Sequence, residues 1–317
     1  MEQKNSENKI FGIFKRKEPK ELTAAEIEKE RNAPRNIAFF FKLLKRNFSK
    51  LLTLNFFMLF MIIPLIAALF VYLQGPTTPV QTGVVAPTLF GVELISGSPA
   101  VSLIQNINGM TAQLPAHSSP VFIIIGIILI FLAITWGWQN VGATYILRSM
   151  VRGEPVFMWS DYFYAIKKNL KQGFLMGLLD FIIMCVLAFD IFYFSGISGS
   201  FAQDMMFYCT IGLAIIYLLM RFYIYIMLIT FDLSIFKLLK NALIFTTLGF
   251  KRNAAAVIGI ILIVVINVAL ALLLIPMGII IPVVLPLVYL LPLTAFITTY
   301  AAYPGIKKYM IDPQLNS

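Results

Sequence analysis

Six apolar stretches, each bounded by polar segments, divide the chain: Leu51–Leu73, Val121–Leu147, Gly173–Phe194, Phe207–Phe231, Ala254–Ile275 and Met277–Tyr300. About 20 apolar residues cross the ~30 Å hydrocarbon core of a bilayer, so each stretch predicts a transmembrane helix. The last two run almost together through Ile275-Pro276-Met277-Gly278. One unbroken helix of that length would overshoot a bilayer, so Pro276 and Gly278 predict a tight outer turn.

Between the apolar stretches a second pattern repeats. Lys45-Arg46-Asn47, Lys167-Lys168-Asn169 and Lys251-Arg252-Asn253 each stand just before a span. Aromatic and aliphatic residues mixed with cations precede them, as in Phe39–Asn47 and Asp161–Asn169, and the string FKLLK at Phe41–Lys45 recurs at Phe236–Lys240. Each unit reads as an interfacial amphipathic helix, with Leu and Phe in the headgroup boundary and Lys in water, followed by a two-span hairpin. The expected fold is therefore all-α: a polytopic membrane helix bundle of six transmembrane helices as three hairpins, with interfacial amphipathic helices on the cytoplasmic side. Residues 1–35 read as a basic cytosolic tail, disordered apart from a short helix at Leu22–Glu30. Residues 36–317 form the six-span domain, and 74–120 an extracytoplasmic loop rich in Pro, Thr, Gly and Ser that is either a small ordered cap or flexible.

Composition sharpens this. The 317 residues are 59% hydrophobic and only 13% charged, with mean hydropathy +0.85, against roughly 25% charged residues in soluble domains. Of 25 Lys and Arg residues, 13 precede the first span; the rest, except Arg221, fall in Arg148–Gln172, Asp232–Asn253 and after the last span. The loops on the other side, Gln74–Pro120 and Ser195–Met206, hold none. Positive charge marks the cytoplasmic face, so both termini are expected in the cytoplasm and the protein in the cell membrane. The net charge of +10 is explained by that rule, so nucleic acid is not an expected partner; the lipid bilayer is. The basic start lacks the apolar region of a signal peptide, so the first span is expected to stay as an anchor. Cys185 and Cys209 read as small buried hydrophobes and imply no disulfide framework.

Ionisable residues inside spans are costly and mark functional hypotheses. Asp180 and Asp190 lie in the third span and Arg221 in the fourth; Asp190 falls near the outer face. Counting ~1.5 Å per residue, an Asp180–Arg221 pair is feasible across a hairpin, and Gln139 and Asn140 of the second span fall at similar depth. These four residues form a candidate polar layer that either lines a path or locks helices together. Asn55 and Asn267 read as interhelical hydrogen-bond glue. Pro282, Pro286 and Pro292 predict kinks, and Trp136 and Trp138 packing. The absence of G-x-x-x-x-G-K-S/T, G-x-S-x-G and H-E-x-x-H, with a single histidine, argues against an enzyme. No cofactor or metal is expected.

The stretch Gly142–Leu179 joins a small-residue helix end at Gly142-Ala143, Arg148, the loop motif Arg152-Gly153-Glu154, an aromatic helix at Trp159–Phe163, the basic step Lys167-Lys168 and Gly173 opening the next span. This resembles the YesL family, Gram-positive membrane proteins with a domain of unknown function. The proline-rich last span ending at Tyr300 is also similar, whereas the basic tail and the long outer loop depart from the pattern. The resemblance implies no established activity; it implies companionship with carbohydrate uptake systems. The expected function is a non-enzymatic membrane protein accessory to such a system, with a membrane permease or solute-binding partner. The alternative is a small-solute carrier or channel using the polar layer.

Overall fold

The computed structural model describes residues 33–74, 77–78, 116–117, 119–196 and 200–315. The disorder and the short helix expected before residue 33 lie outside these, as does nearly all of the loop 74–120.

The described chain is helical: α1 Ile37–Gln74, α2 Ser119–Arg152, α3 Met158–Lys168, α4 Leu170–Ser195, α5 Phe201–Leu228, α6 Ile235–Leu248, α7 Phe250–Leu274 and α8 Ile281–Ile306, the last followed by a π-helical turn Lys307–Ile311 and a short α9, Asp312–Leu315. Two-residue segments β1 (Thr77–Thr78) and β2 (Ala116–His117) pair antiparallel. Six helices, α1, α2, α4, α5, α7 and α8, are long and apolar enough to cross a membrane. The protein is an all-α, multi-pass membrane helix bundle.

The helices run past the apolar stretches. α2 continues beyond Leu147 to Arg152, α8 beyond Tyr300 to Ile306, and α5 starts at Phe201 where Ser200 accepts a hydrogen bond from the Gln203 amide. Apolar composition marks the hydrocarbon, but helical hydrogen bonding stops only where a cap or a turn intervenes. The expected turn between the last two spans is present: Ile275–Met277 forms a 3₁₀ turn and Gly278 takes φ +79°, which glycine adopts without steric cost.

The three-unit repeat is realised unequally. Separate amphipathic helices form in the second and third units, α3 ending at Asn169 and α6 at Gly249. In the first unit no break occurs, and α1 runs unbroken for 38 residues. The repeated asparagines share a use. The side-chain amide of Asn47 donates to the Leu43 carbonyl at 3.0 Å, that of Asn169 to Ala165 at 2.9 Å and that of Asn253 to Thr246 at 3.1 Å. Asn47 bonds the preceding turn within the unbroken α1, Asn169 bonds the last turn of α3, and Asn253 reaches back across Gly249 to α6.

The chain divides into two compact units, Met1–Met58 with Gly137–Ser317, and Leu59–Trp136. The smaller holds the β1–β2 ladder and the helix halves leading to and from it, which expose mostly large apolar side chains such as Phe70, Ile123 and Ile127. In the larger, α5 packs against α4, α6 and α8, and α7 pairs with α8. The near end of α1 is held by α8: Asn55 donates to the Leu287 carbonyl at 2.8 Å, Tyr300 to the Asn36 carbonyl at 2.7 Å, and Phe40 packs against Phe296 and Tyr300. The hairpins α4–α5 and α7–α8 match expectation; within this unit α1 is tied to α8 and α2 to α4. Cys185 and Cys209 are free and exposed rather than buried.

Candidate functional site

On α5, Tyr217, Arg221 and Tyr225 are spaced by four residues and form one stripe. On α4, Asp180 faces that stripe and is fully buried. Tyr217 donates to Asp180 Oδ1 at 2.7 Å and Tyr225 to Oδ2 at 2.7 Å. Arg221 Nε lies between the two oxygens, 3.0 Å from Oδ1 and 3.2 Å from Oδ2. Each carboxylate oxygen therefore accepts a tyrosine hydroxyl, and the single Nε–H of Arg221, bonded to Oδ2, lies against both oxygens. An ionised carboxylate in a water-poor interior needs such partners, and hydrogen bonds to a charged acceptor are the strong ones. The arrangement holds one negative charge beside one positive charge and clasps α4 to α5.

The other expected members of the layer stand on α2. Their position is set by glycine contacts. A Cβ at Gly137 would lie 1.9 Å from the Gly173 carbonyl oxygen and 2.7 Å from Gly177 Cα, and a Cβ at Gly177 would lie 2.1 Å from Gly137 Cα. The backbones of α2 and α4 touch there, through a G-x-x-x-G pair on α4 of the kind that lets membrane helices approach closely. Trp138 Nε1 reinforces the contact by donating to the Leu170 carbonyl at 2.9 Å. Because the helices are antiparallel, Asn140 lies three residues from the contact in one direction and Asp180 three residues in the other. At 1.5 Å per residue their backbones stagger by roughly 9 Å along the axes. The polar groups thus form a step rather than one level. Gln139 Oε1 is buried without a hydrogen-bond partner, while both Asp180 oxygens accept hydrogen bonds.

The Arg152-Gly153-Glu154 segment terminates α2. Gly153 has φ +80°, its amide donates to the Met150 carbonyl and the Glu154 amide to the Ser149 carbonyl. These are the paired bonds of a Schellman cap, for which a left-handed glycine is favoured. Arg152 and Glu154 pair at 2.7 Å, so the acid is used within the cap. Arg148 serves the neighbouring helix: its Nη1 donates to the Ile229 carbonyl at 3.2 Å and to Thr230 Oγ1 at 2.9 Å, and the guanidinium lies 5.0 Å from the Tyr145 ring centre. A cation at the carbonyl end of α5 satisfies orphan acceptors and complements the helix dipole.

The aromatic helix α3 closes this side. Tyr162 stacks on Phe57 at 4.4 Å, Trp159 meets Phe57 at 4.8 Å, and a Cβ at Gly142 would strike the Tyr162 ring at 2.6 Å. Burial pushes the Tyr162 hydroxyl above the usual tyrosine range, so this ring packs in its neutral form. Three features carry the site without having been singled out from sequence: Tyr217, Tyr225 and Gly177, whose partner Gly173 was read only as opening the span. Their signal was present as four-residue spacing, the tyrosines on either side of Arg221 and the glycines ahead of Asp180. Among the described residues no group of three or more His, Cys, Asp or Glu side chains is placed to hold a metal. No protein-family model, no curated protein and no solved structure matches the chain.

Proposed function

We propose that the protein is a non-enzymatic cell-membrane component, both termini cytoplasmic, that assists a transport system, and that the system handles carbohydrate, as its resemblance to the YesL family implies. The observation carrying this reading over that of a carrier is that both Asp180 oxygens are held by neighbouring side chains. A carrier's intramembrane carboxylate must release its partners to take up an ion or substrate. Here four contacts from Tyr217, Tyr225 and Arg221 occupy both oxygens, which suits a fixed clasp. The amphipathic helices α3 and α6 then supply docking faces, with Phe157, Trp159 and Phe236 strongly exposed. The test is purification of the full chain from its own membranes in mild detergent. A permease or solute-binding protein is expected to accompany it, and isolation as a lone chain overturns the reading.

One observation favours the alternative, a small-solute carrier. Gln139 offers a buried oxygen without a partner, as a polar binding site would. On that reading proteoliposomes take up solute and Gln139→Leu abolishes uptake while the protein stays folded. Uptake indifferent to Gln139→Leu removes it.

A further inference from the structure

The turn between α6 and α7 and the end of α8 enclose an open cleft of about 490 Å³, away from the Asp180 clasp. Its floor is rigid. The Tyr223 ring stacks on Phe245 with centres 5.5 Å apart, the Tyr223 hydroxyl donates to Asn253 Oδ1 at 2.8 Å, and the Asn253 amide is tied to the Thr246 carbonyl. The floor's polar groups are thus already used, and the glycine at 249 leaves the room: a Cβ there would lie 2.1 Å from the Tyr223 hydroxyl.

The walls are basic. Lys251 and Arg252 open α7, and Lys308 comes from the π-helical turn after α8. All three are exposed and line the cleft. The ion pairs among the described residues, Arg152–Glu154 and Asp180–Arg221, involve none of them. Gly249 caps α7 without any side-chain acceptor, and its carbonyl takes the Arg252 and Asn253 amides at 2.9 Å each, so the charge facing the cleft comes from the side chains. Three cations around a cavity too large for a single small ion fit a phosphate bearing a polar substituent. At the mouth, Leu248 and Phe250 are 58% and 67% exposed, an apolar rim suited to acyl chains.

We propose that this cleft binds a phosphate ester, either the headgroup of an anionic phospholipid or a soluble ester with the same group. The binding stands independently of the accessory role. It requires only the placement of Lys251, Arg252 and Lys308.

The experiment uses the full chain in detergent, with native mass spectrometry after exchange with phosphatidylglycerol or phosphatidylcholine. Wild-type protein retains phosphatidylglycerol preferentially. Each cation contributes about fivefold, so Lys251→Gln/Arg252→Gln/Lys308→Gln loses on the order of a hundredfold of that preference. Gly305→Leu gives the same loss by filling the cleft; a Cβ at Gly305 meets only Phe245 Cδ1 at 3.9 Å, so the fold tolerates the start of a side chain there. Lys167→Gln/Lys168→Gln, on α3, retains lipid as wild type does. A parallel arm measures thermal stabilisation by millimolar glycerol phosphate and inorganic phosphate without anionic lipid. A response lost in the triple and Gly305→Leu variants identifies a soluble ester as ligand; a response in the lipid arm alone identifies the headgroup. Equal behaviour of wild type and both cleft variants in both arms overturns the proposal, as does equal loss in the Lys167/Lys168 control.

Discussion

Helices α5 and α7 are similar in length, 28 and 25 residues, and sit in opposite surroundings. α5 carries an arginine and four tyrosines, yet Tyr217 and the whole run Tyr223–Leu228 are buried. α7 is almost purely aliphatic, and its buried residues are Asn253, Ala256 and Asn267, two amides and the smallest side chain with a Cβ. In water the more apolar helix would go inside. Here lipid solvates leucine and valine as well as another helix does, so burial is decided by packing and by polar groups that need partners. The Asn267 amide reaches the Ile263 carbonyl and the Tyr289 hydroxyl, the one polar point of an otherwise lipid-facing helix middle.

The comparison breaks most decisively at Asp180. Asp180→Ala removes the acceptor that Tyr217, Tyr225 and Arg221 share and takes the carboxylate from beside the guanidinium. Removing one member of a buried pair costs about 3–5 kcal/mol, so unfolding in detergent shifts to much lower temperature or denaturant. Asp180→Asn keeps the shape and one oxygen acceptor, and costs less. If Asp180→Ala unfolds like wild type, the centre of the bundle is not held by this clasp, and α5 is central for packing alone.

Glycine substitutions give the next effect and turn on the same contrast. Gly137→Ala puts a methyl 1.9 Å from the Gly173 carbonyl oxygen, and α2 and α4 must separate. Overpacking of this kind costs typically about 1–3 kcal/mol. Gly259→Ala on α7 meets nothing within 4 Å, and the helix gains up to about 1 kcal/mol of propensity. Opposite signs are expected in parallel thermal unfolding of the two variants. Destabilisation at Gly259 would show that α7 is covered by a neighbour rather than by lipid.

How much of this the sequence discloses follows from the same physics. The spans and the Pro276–Gly278 turn are written in composition, because hydrocarbon tolerates so few alternatives. The Asp180–Arg221 pair is also legible, since two opposite charges on adjacent spans have few other ways to be satisfied. Tyr217 and Tyr225 are harder to read: in an aromatic-rich chain a tyrosine four residues from an arginine is unremarkable until the facing helix is known. The stagger of Asn140 against Asp180 is invisible to residue counting from span ends, because it depends on where Gly137 meets Gly177. Counting assumes that helices begin together, and α2 overran its apolar stretch by a full turn to reach its Schellman cap. The unbroken α1 has a similar origin. FKLLK at Phe41–Lys45 and at Phe236–Lys240 is the same string, but the third unit meets Gly249 after its amphipathic segment and the first meets no glycine or proline before Pro64.

The smallest effect is the most discriminating for α7 and α8. Asn267 and Asn55 are both single buried amides within spans, 7% and 4% exposed. Asn55 spends its amide across helices, on the Leu287 carbonyl of α8. Asn267 shares its amide between its own helix and Tyr289. Interhelical hydrogen bonds in membranes average about 0.6 kcal/mol, so Asn55→Leu and Asn267→Leu each lower stability by about that amount if the bond dominates. Both also leave an oxygen, Oδ1, buried without a partner, and leucine removes that cost. For Asn267, where half the amide's bonding is local, the two terms nearly cancel, and unfolding is expected to change little. For Asn55 the lost bond is the direct polar tie between α1 and the middle of α8, so the loss shows as faster proteolysis near residue 36 as well as a lower melting point. Equal effects at both positions would mean that α1 and α7 are held to α8 by apolar packing alone, with the amides contributing no preference between them.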